Sequence, residues 1–183
     1  MRTTRIRYLS YLIDSFLSFL GLIKKYPALV IECMDPRLDK HWRKTLSFLR
    51  IDSNRCDKIH LAGSARFIAE ALKKKKDCDF FEPGLKVSLG KHHIKKVYIF
   101  FHNGCGGYGI EYWADELFLQ LKDSLLVGDS IESNWPEVEV FYVRQRLKGV
   151  GGYEGMKLTM LTKEEACKEL NGLKAFVSEE LKS

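Results

Sequence analysis

The chain has 183 residues, 45% of them hydrophobic and 30% charged, and a net charge of +6. This length supports one domain with its own core, and the composition excludes a disordered, collagenous or disulfide-stapled protein. Five cysteines, an odd number scattered along the chain, read as reduced thiols and predict a cytoplasmic protein.

Met1 to Arg7 is basic and residues 8–23 are mostly apolar, a superficial match to a secretory signal. Asp14 interrupts the run, no small-x-small cleavage site follows, and the stretch is short for a bilayer span. It reads instead as an amphipathic helix, with Leu9, Leu12, Ile13, Phe16, Leu20 and Ile23 on one face. Such a helix packs on its own domain or on a second subunit.

From residue 28 onward, short apolar runs alternate with helical patterns, which predicts βα units around a parallel sheet. The expected class is α/β: a single domain over 1–183 with a mostly parallel sheet of four to five strands flanked by helices. Ala28 to Cys33 is the first strand, and Asp39 is read as the cap of a helix running to about Arg50. A second strand is expected at Lys58 to Leu61, then Ser64 as a cap and a helix ending in the lysine run. Residues 77–92 hold Pro83, Gly84 and Gly90 without a clear period and read as an insertion or long loop. Val97 to Phe101 is the strongest strand, followed by a helix of about fifteen residues from Ile110 and a strand at Val138 to Val143. Lys148 to Gly155 reads as flexible, and Thr162 with Glu165 gives a capping box for the last helix. The basic clusters at 73–76 and 91–96 come without stacking aromatics or a nucleic-acid motif. They read as a solvated face, so neither nucleic acid nor a membrane is an expected partner.

The chemistry-bearing residues sit at strand ends. Cys33 closes the first strand, and His102 and Cys105 follow the third within His-Asn-Gly-Cys-Gly-Gly. The carboxyl ends of adjacent parallel strands converge on one crevice, so residues about seventy apart can share one ion. Thiolate and imidazole are ligands zinc prefers, and three protein ligands leave a fourth position open for chemistry. Asp35 and Arg37 follow the first cysteine closely enough to form a bidentate pair. Taken singly, a strand-end cysteine is also a small core residue, and Asp-x-Arg is also a helix-start ion pair.

Cys-x-Asp-x-Arg at 33–37, Leu-Ala-Gly at 61–63 and His-x-x-Cys-Gly at 102–106 together resemble the β-class carbonic anhydrase family. The resemblance runs from about residue 26 to 145 in element order. It implies a β-carbonic-anhydrase-like fold, one zinc ion per subunit on Cys33, His102 and Cys105, and a catalytic dyad of Asp35 and Arg37. It further implies a zinc lyase that reversibly hydrates carbon dioxide to bicarbonate and a proton, through a zinc-bound hydroxide oriented by the dyad. A homodimer or higher homo-oligomer is expected, with residues 1–25 packing on the partner subunit. The sequence departs from the family pattern at Pro36, usually small and polar, and at His60-Leu61, where Arg-Asn is common. It also has a longer stretch between the ligand motifs.

Three other readings compete. A non-catalytic relative would keep zinc as a brace, and a hydrolase would use the same site on carbonyl sulfide or carbon disulfide. Gly104-x-Gly106-x-x-Gly109 also matches a dinucleotide-binding turn, although the following strand ends in Val-Arg-Gln without an acidic residue for a ribose. Of the remaining groups, His92 and His93 with Cys78 are a candidate second metal site. Cys56 and Cys167 are expected to pack, and Tyr108 is expected to border the pocket or pack at a helix start.

Overall fold

The computed structural model describes residues 26–74, 81–109, 113–149 and 154–180. The expected amino-terminal helix, Cys78 and Ile110 lie outside them. Five strands form one sheet in the order β2-β1-β3-β4-β5, where β1 is Tyr26–Cys33, β2 Ile51–Leu61, β3 Lys96–His102, β4 Glu139–Lys148 and β5 Gly155–Leu161. The first four run parallel, and β5 is an antiparallel edge on β4. The helices are α1 (Pro36–Asp39), α2 (Trp42–Leu49), α3 (Ala65–Lys73), α4 (Glu82–Leu85), α5 (Trp113–Asn134) and α6 (Lys163–Glu180), with a π-helical stretch at Lys86–Lys91.

Side-chain alternation along the strands divides the core in two. Leu29, Ile31, Val97, Ile99 and Phe101 face α3, α5 and α6, meeting Ile68, Leu121 and Ala166. Ala28, Val30, Tyr98, Phe100 and Val143 face α2, meeting Leu46 and Leu49. Both faces of β1 and β3 are therefore covered, as their near-continuous apolar runs require. Removing one such fully buried aliphatic side chain from water contributes about 1.5–3 kcal/mol.

Several boundaries differ from expectation for identifiable reasons. Asp39 ends a short helix rather than opening the long one: Asp35 caps α1 by accepting the Arg37 N–H, Pro36 occupies the first turn, and α2 starts after His41. Residues 82–91 are helical, with Pro83 tolerated in the first turn and the wider π winding hiding any 3.6-residue period. Strand β2 begins seven residues earlier than expected, its polar Asp52 to Arg55 lying along the sheet edge. Strand β4 extends to Lys148, and α5 is 22 residues long rather than about fifteen. Cys167 is exposed rather than packed, while Cys56 is half-buried. The expected box before α6 is present: Thr162 N–H donates to Glu165 and Glu165 N–H to the Thr162 hydroxyl.

Candidate metal centre

Strands β1 and β3 are direct parallel neighbours, with Ile31 opposite Ile99, so Cys33 and His102 end side by side. Cys105 returns to the same point through the turn after β3. The three donor atoms lie within 4.8 Å of one another, and all three residues are buried. The sulfurs of Cys33 and Cys105 are 3.7 Å apart. That is too long for a disulfide and close to the roughly 3.8 Å separating two sulfurs at about 2.3 Å from a tetrahedral zinc.

The histidine is oriented to match. His102 Nδ1 lies 3.2 Å from the Asn103 carbonyl, which can only accept, so the ring proton belongs on Nδ1. Nε2 is left with its lone pair, buried and without a hydrogen-bond partner. A buried orphan nitrogen beside two buried sulfurs is a donor set fitted to a soft or borderline divalent cation.

The two thiols are electrostatically one unit. Cys33 is pulled well below the usual thiol range, first by the hydrogen bond from Cys105, against opposing burial. Cys105 is pushed upward in turn, chiefly by that shared contact and by burial. One proton between two sulfurs is therefore easily lost and the second is not, unless a cation replaces it.

Asp35 and Arg37 stand against this cluster. Arg37 Nε contacts Asp35 Oδ1 and Oδ2 at 2.9 and 3.0 Å, and its Nη2 reaches Oδ2 at 2.5 Å. The same Nη2 donates to the Gly104 carbonyl at 2.6 Å, joining the two motifs. Burial raises the Asp35 pKa, but the Arg37 side-chain and backbone hydrogen bonds outweigh it and hold the carboxyl below its ordinary range. Asp35 Oδ2 is 3.9 Å from His102 Nε2, so the carboxylate borders the donor cluster. Pro36 fits here because the first turn of a helix needs no N–H from it and its ring favours the extended Asp35 seen, at φ −65° and ψ 119°.

The turn after β3 is held by residues that the sequence reading did not single out. Glu116 accepts N–H bonds from Gly104 and Cys105, at 2.9 and 2.5 Å, and Gln120 exchanges two hydrogen bonds with the His102 backbone. The Asn103 side chain pairs with Leu147 of β4 like an added strand residue. Ser64 stands where a helix cap would, but its hydroxyl donates to the Phe100 carbonyl at 2.6 Å, fastening the loop after β2 to β3. A Cβ on Gly107 would come within 2.3 Å of the Gly63 nitrogen, so these loops touch backbone to backbone. The visible signal for Glu116 and Gln120 was their i, i+4 spacing on one helix face.

The dinucleotide reading fails at this turn, because a carboxylate already occupies the position a phosphate would take between the Gly104 and Cys105 N–H groups. Tyr108 is buried against Cys33 and Cys105 and donates to Asp123. His92 pairs with Asp57 at 2.7 Å, and among the described residues the only metal-capable cluster is Cys33, His102 and Cys105. A cavity of about 340 Å³ lies beside His102 and Asn103, between Glu116 and Gln120 on one wall and Arg146 and Lys157 on the other. Of the three donor residues only His102 lines it, and Asp35 does not.

Residues 23–149 match the model of a family described as "Putative carbonic anhydrase". No curated protein matches the chain. Among solved structures, a β-carbonic anhydrase isoform of Trichomonas vaginalis is similar at 14% identity and a TM-score of 0.44, over 86% of this chain and 97% of that one. A tetrameric β-carbonic anhydrase of Sordaria macrospora is similar at 13% identity and 0.46, over 87% and 92%. A carbon disulfide hydrolase is similar at 15% identity and 0.39, over 80% and 87%.

Proposed function

The chain belongs to the carbonic anhydrase family, and from that premise we propose a zinc-dependent enzyme that reversibly hydrates carbon dioxide to bicarbonate and a proton. The observation that carries this reading is the three-donor cluster of Cys33, His102 and Cys105 with the Arg37-locked Asp35 at its edge. Cys33, His102 and Cys105 would hold the ion, one per subunit. Bound there, zinc supplies the Lewis acidity that makes water a nucleophile near neutral pH.

The protein's own groups supply orientation. Asp35 is ionised and can only accept, so it takes a hydrogen bond from the reacting water and turns a lone pair toward the substrate carbon. Arg37 fixes that carboxylate through a bidentate pair and is itself fixed by Gly104, which keeps Asp35 from rotating. The burial of all three donors keeps their surroundings at low dielectric, where such hydrogen bonds are strong.

Two further features belong to the same reading. Four free cysteines among the described residues, two of them needed as thiolates, suit a reducing cytoplasm. Among the described residues no helix is long and apolar enough to cross a membrane. We also read the chain as a single domain that forms a homo-oligomer, with residues 1–25 packing on a partner subunit; light scattering on the full chain measures the oligomer.

Stopped-flow hydration of carbon dioxide by zinc-loaded protein, with zinc counted per subunit, tests the proposal. One zinc per subunit, hydration well above the buffer rate and a loss of about 10–100-fold in Asp35→Ala are expected. A zinc-loaded, folded protein without hydration activity would overturn it. Carbonyl sulfide and carbon disulfide offered to the same sample separate a hydrolase from a carbonic anhydrase.

A further inference from the structure

The segment that carries two of the three donors is gripped from behind by α5. Glu116 Oε1 accepts the Cys105 N–H, and Oε2 accepts the Gly104 N–H. Gln120 Oε1 accepts the His102 N–H at 2.9 Å, while its Nε2 donates to the His102 carbonyl at 2.8 Å and to Glu116 Oε1 at 2.9 Å. The main chain of both His102 and Cys105 is thus fixed by one turn of one helix. Glu116 and Gln120 are each only 3% exposed.

We propose that Glu116 and Gln120 are positioning residues that preset the His102–Cys105 segment before any metal arrives and so govern how tightly the donors hold it. This rests on the metal-centre reading above. A buried carboxylate is a costly choice for a fastening, since an amide or hydroxyl could anchor a helix at less desolvation cost. Among the described residues Glu116 has no ion-pair partner, so backbone N–H groups and Gln120 alone offset that cost. The backbone is shaped to supply them: Gly104 adopts φ +66°, which turns two successive N–H groups onto one carboxylate. Charge-assisted bonds of this kind are about twice as strong as neutral ones and fix direction as well as distance. The same turn sets where the Cys105 sulfur points, and the Gln120 bonds set the height of the His102 ring at the strand end. A donor set fixed in advance needs little ordering when the ion binds.

The variants are Glu116→Gln, which offers an N–H to a group that already donates, and Gln120→Met, which keeps length and loses both polar ends. Asp115→Asn, one residue away on the same turn, is the control. Zinc release from full-length protein to a chromogenic chelator should accelerate about 10–100-fold in the first two and not in the third. The thiolate-to-cobalt charge-transfer band of the cobalt-substituted protein should shift in the first two, which helix anchoring alone would not produce. Wild-type release rates and cobalt spectra in both folded variants would overturn the proposal. Amide exchange in the zinc-free wild-type chain decides the matter if a variant does not fold: slow exchange at Gly104 and Cys105 supports presetting, fast exchange refutes it. Absence of zinc binding by wild type would refute the metal reading instead, and exchange at these amides would still test the grip.

Discussion

Replacing Gly107 by alanine should separate the two loops that build the site. The new Cβ would lie 2.3 Å from the Gly63 nitrogen, 2.5 Å from its Cα and 3.0 Å from the Ala62 carbonyl carbon. These are backbone atoms, and Gly63 is itself held at φ +72°, so no rotamer change relieves the overlap. Overpacking of this kind costs about 1–3 kcal/mol, and a rigid obstacle places it near the upper value. At about 2–4 °C per kcal/mol for a chain of this size, the melting temperature should fall by about 6–12 °C. Cys105 lies two residues before Gly107, so retreat of the loop should also widen the sulfur pair from 3.7 Å and weaken zinc binding. Gly106 supplies the matched control, because its Cβ would meet nothing within 4 Å. Gly106→Ala should therefore stay within about 0.5 kcal/mol of wild type. Calorimetry and chelator competition on both variants test the reasoning, and indistinguishable melting and zinc release in the two would refute it.

Removing zinc with a chelator should lower the melting temperature, and adding it back at 100 times its dissociation constant should restore about 2.7 kcal/mol, or roughly 5–11 °C. Cys33→Ser should lose that zinc-dependent increment, read from paired melts. The Asp35 carboxyl is held below its ordinary value in the folded chain, so its contribution to stability is present above about pH 4 and is lost as pH falls through the lower folded value. Urea melts of wild type and Asp35→Asn should accordingly converge on acidification below about pH 4 and differ at pH 6; a constant gap would contradict this. Hydration rate should rise between neutral pH and about pH 9, because two thiolates offset the charge of the ion and leave its water less acidified, and a flat profile in zinc-replete enzyme would count against the chemistry.

What could be read from the chain, and what could not, follows from where each interaction is encoded. Val97 to Phe101 announces itself because a strand covered on both faces needs five consecutive apolar residues. Cys33, His102 and Cys105 are legible because donor type and strand-end position are local properties. Strand β5 is weakly marked for another reason: Met156 to Met160 does alternate apolar and polar, but the run is short, directly follows a glycine-rich stretch, and has its antiparallel pairing with β4 set only in the assembled sheet. The helix start misplaced at Asp39 has a different cause. Asp35 already caps a four-residue helix while also binding the Arg37 side chain, and a dual role leaves no separate mark in sequence. Glu116 carries no mark beyond its i, i+4 spacing from Gln120, and Ser64 reads as an ordinary capping residue. Their partners, 11 and 36 positions away, are known only once the sheet is assembled.

Arg37 touches both Asp35, two positions away, and Gly104, 67 positions away. Neither motif is therefore a portable cassette. A designer who grafts residues 33–37 onto another scaffold transplants a guanidinium whose second acceptor has been left behind, and one who grafts the turn after β3 leaves its carbonyl facing solvent. The smallest unit that can be moved is the β1–β3 pair with both following loops, and laboratory recombination of relatives should tolerate crossovers outside that block far better than within it.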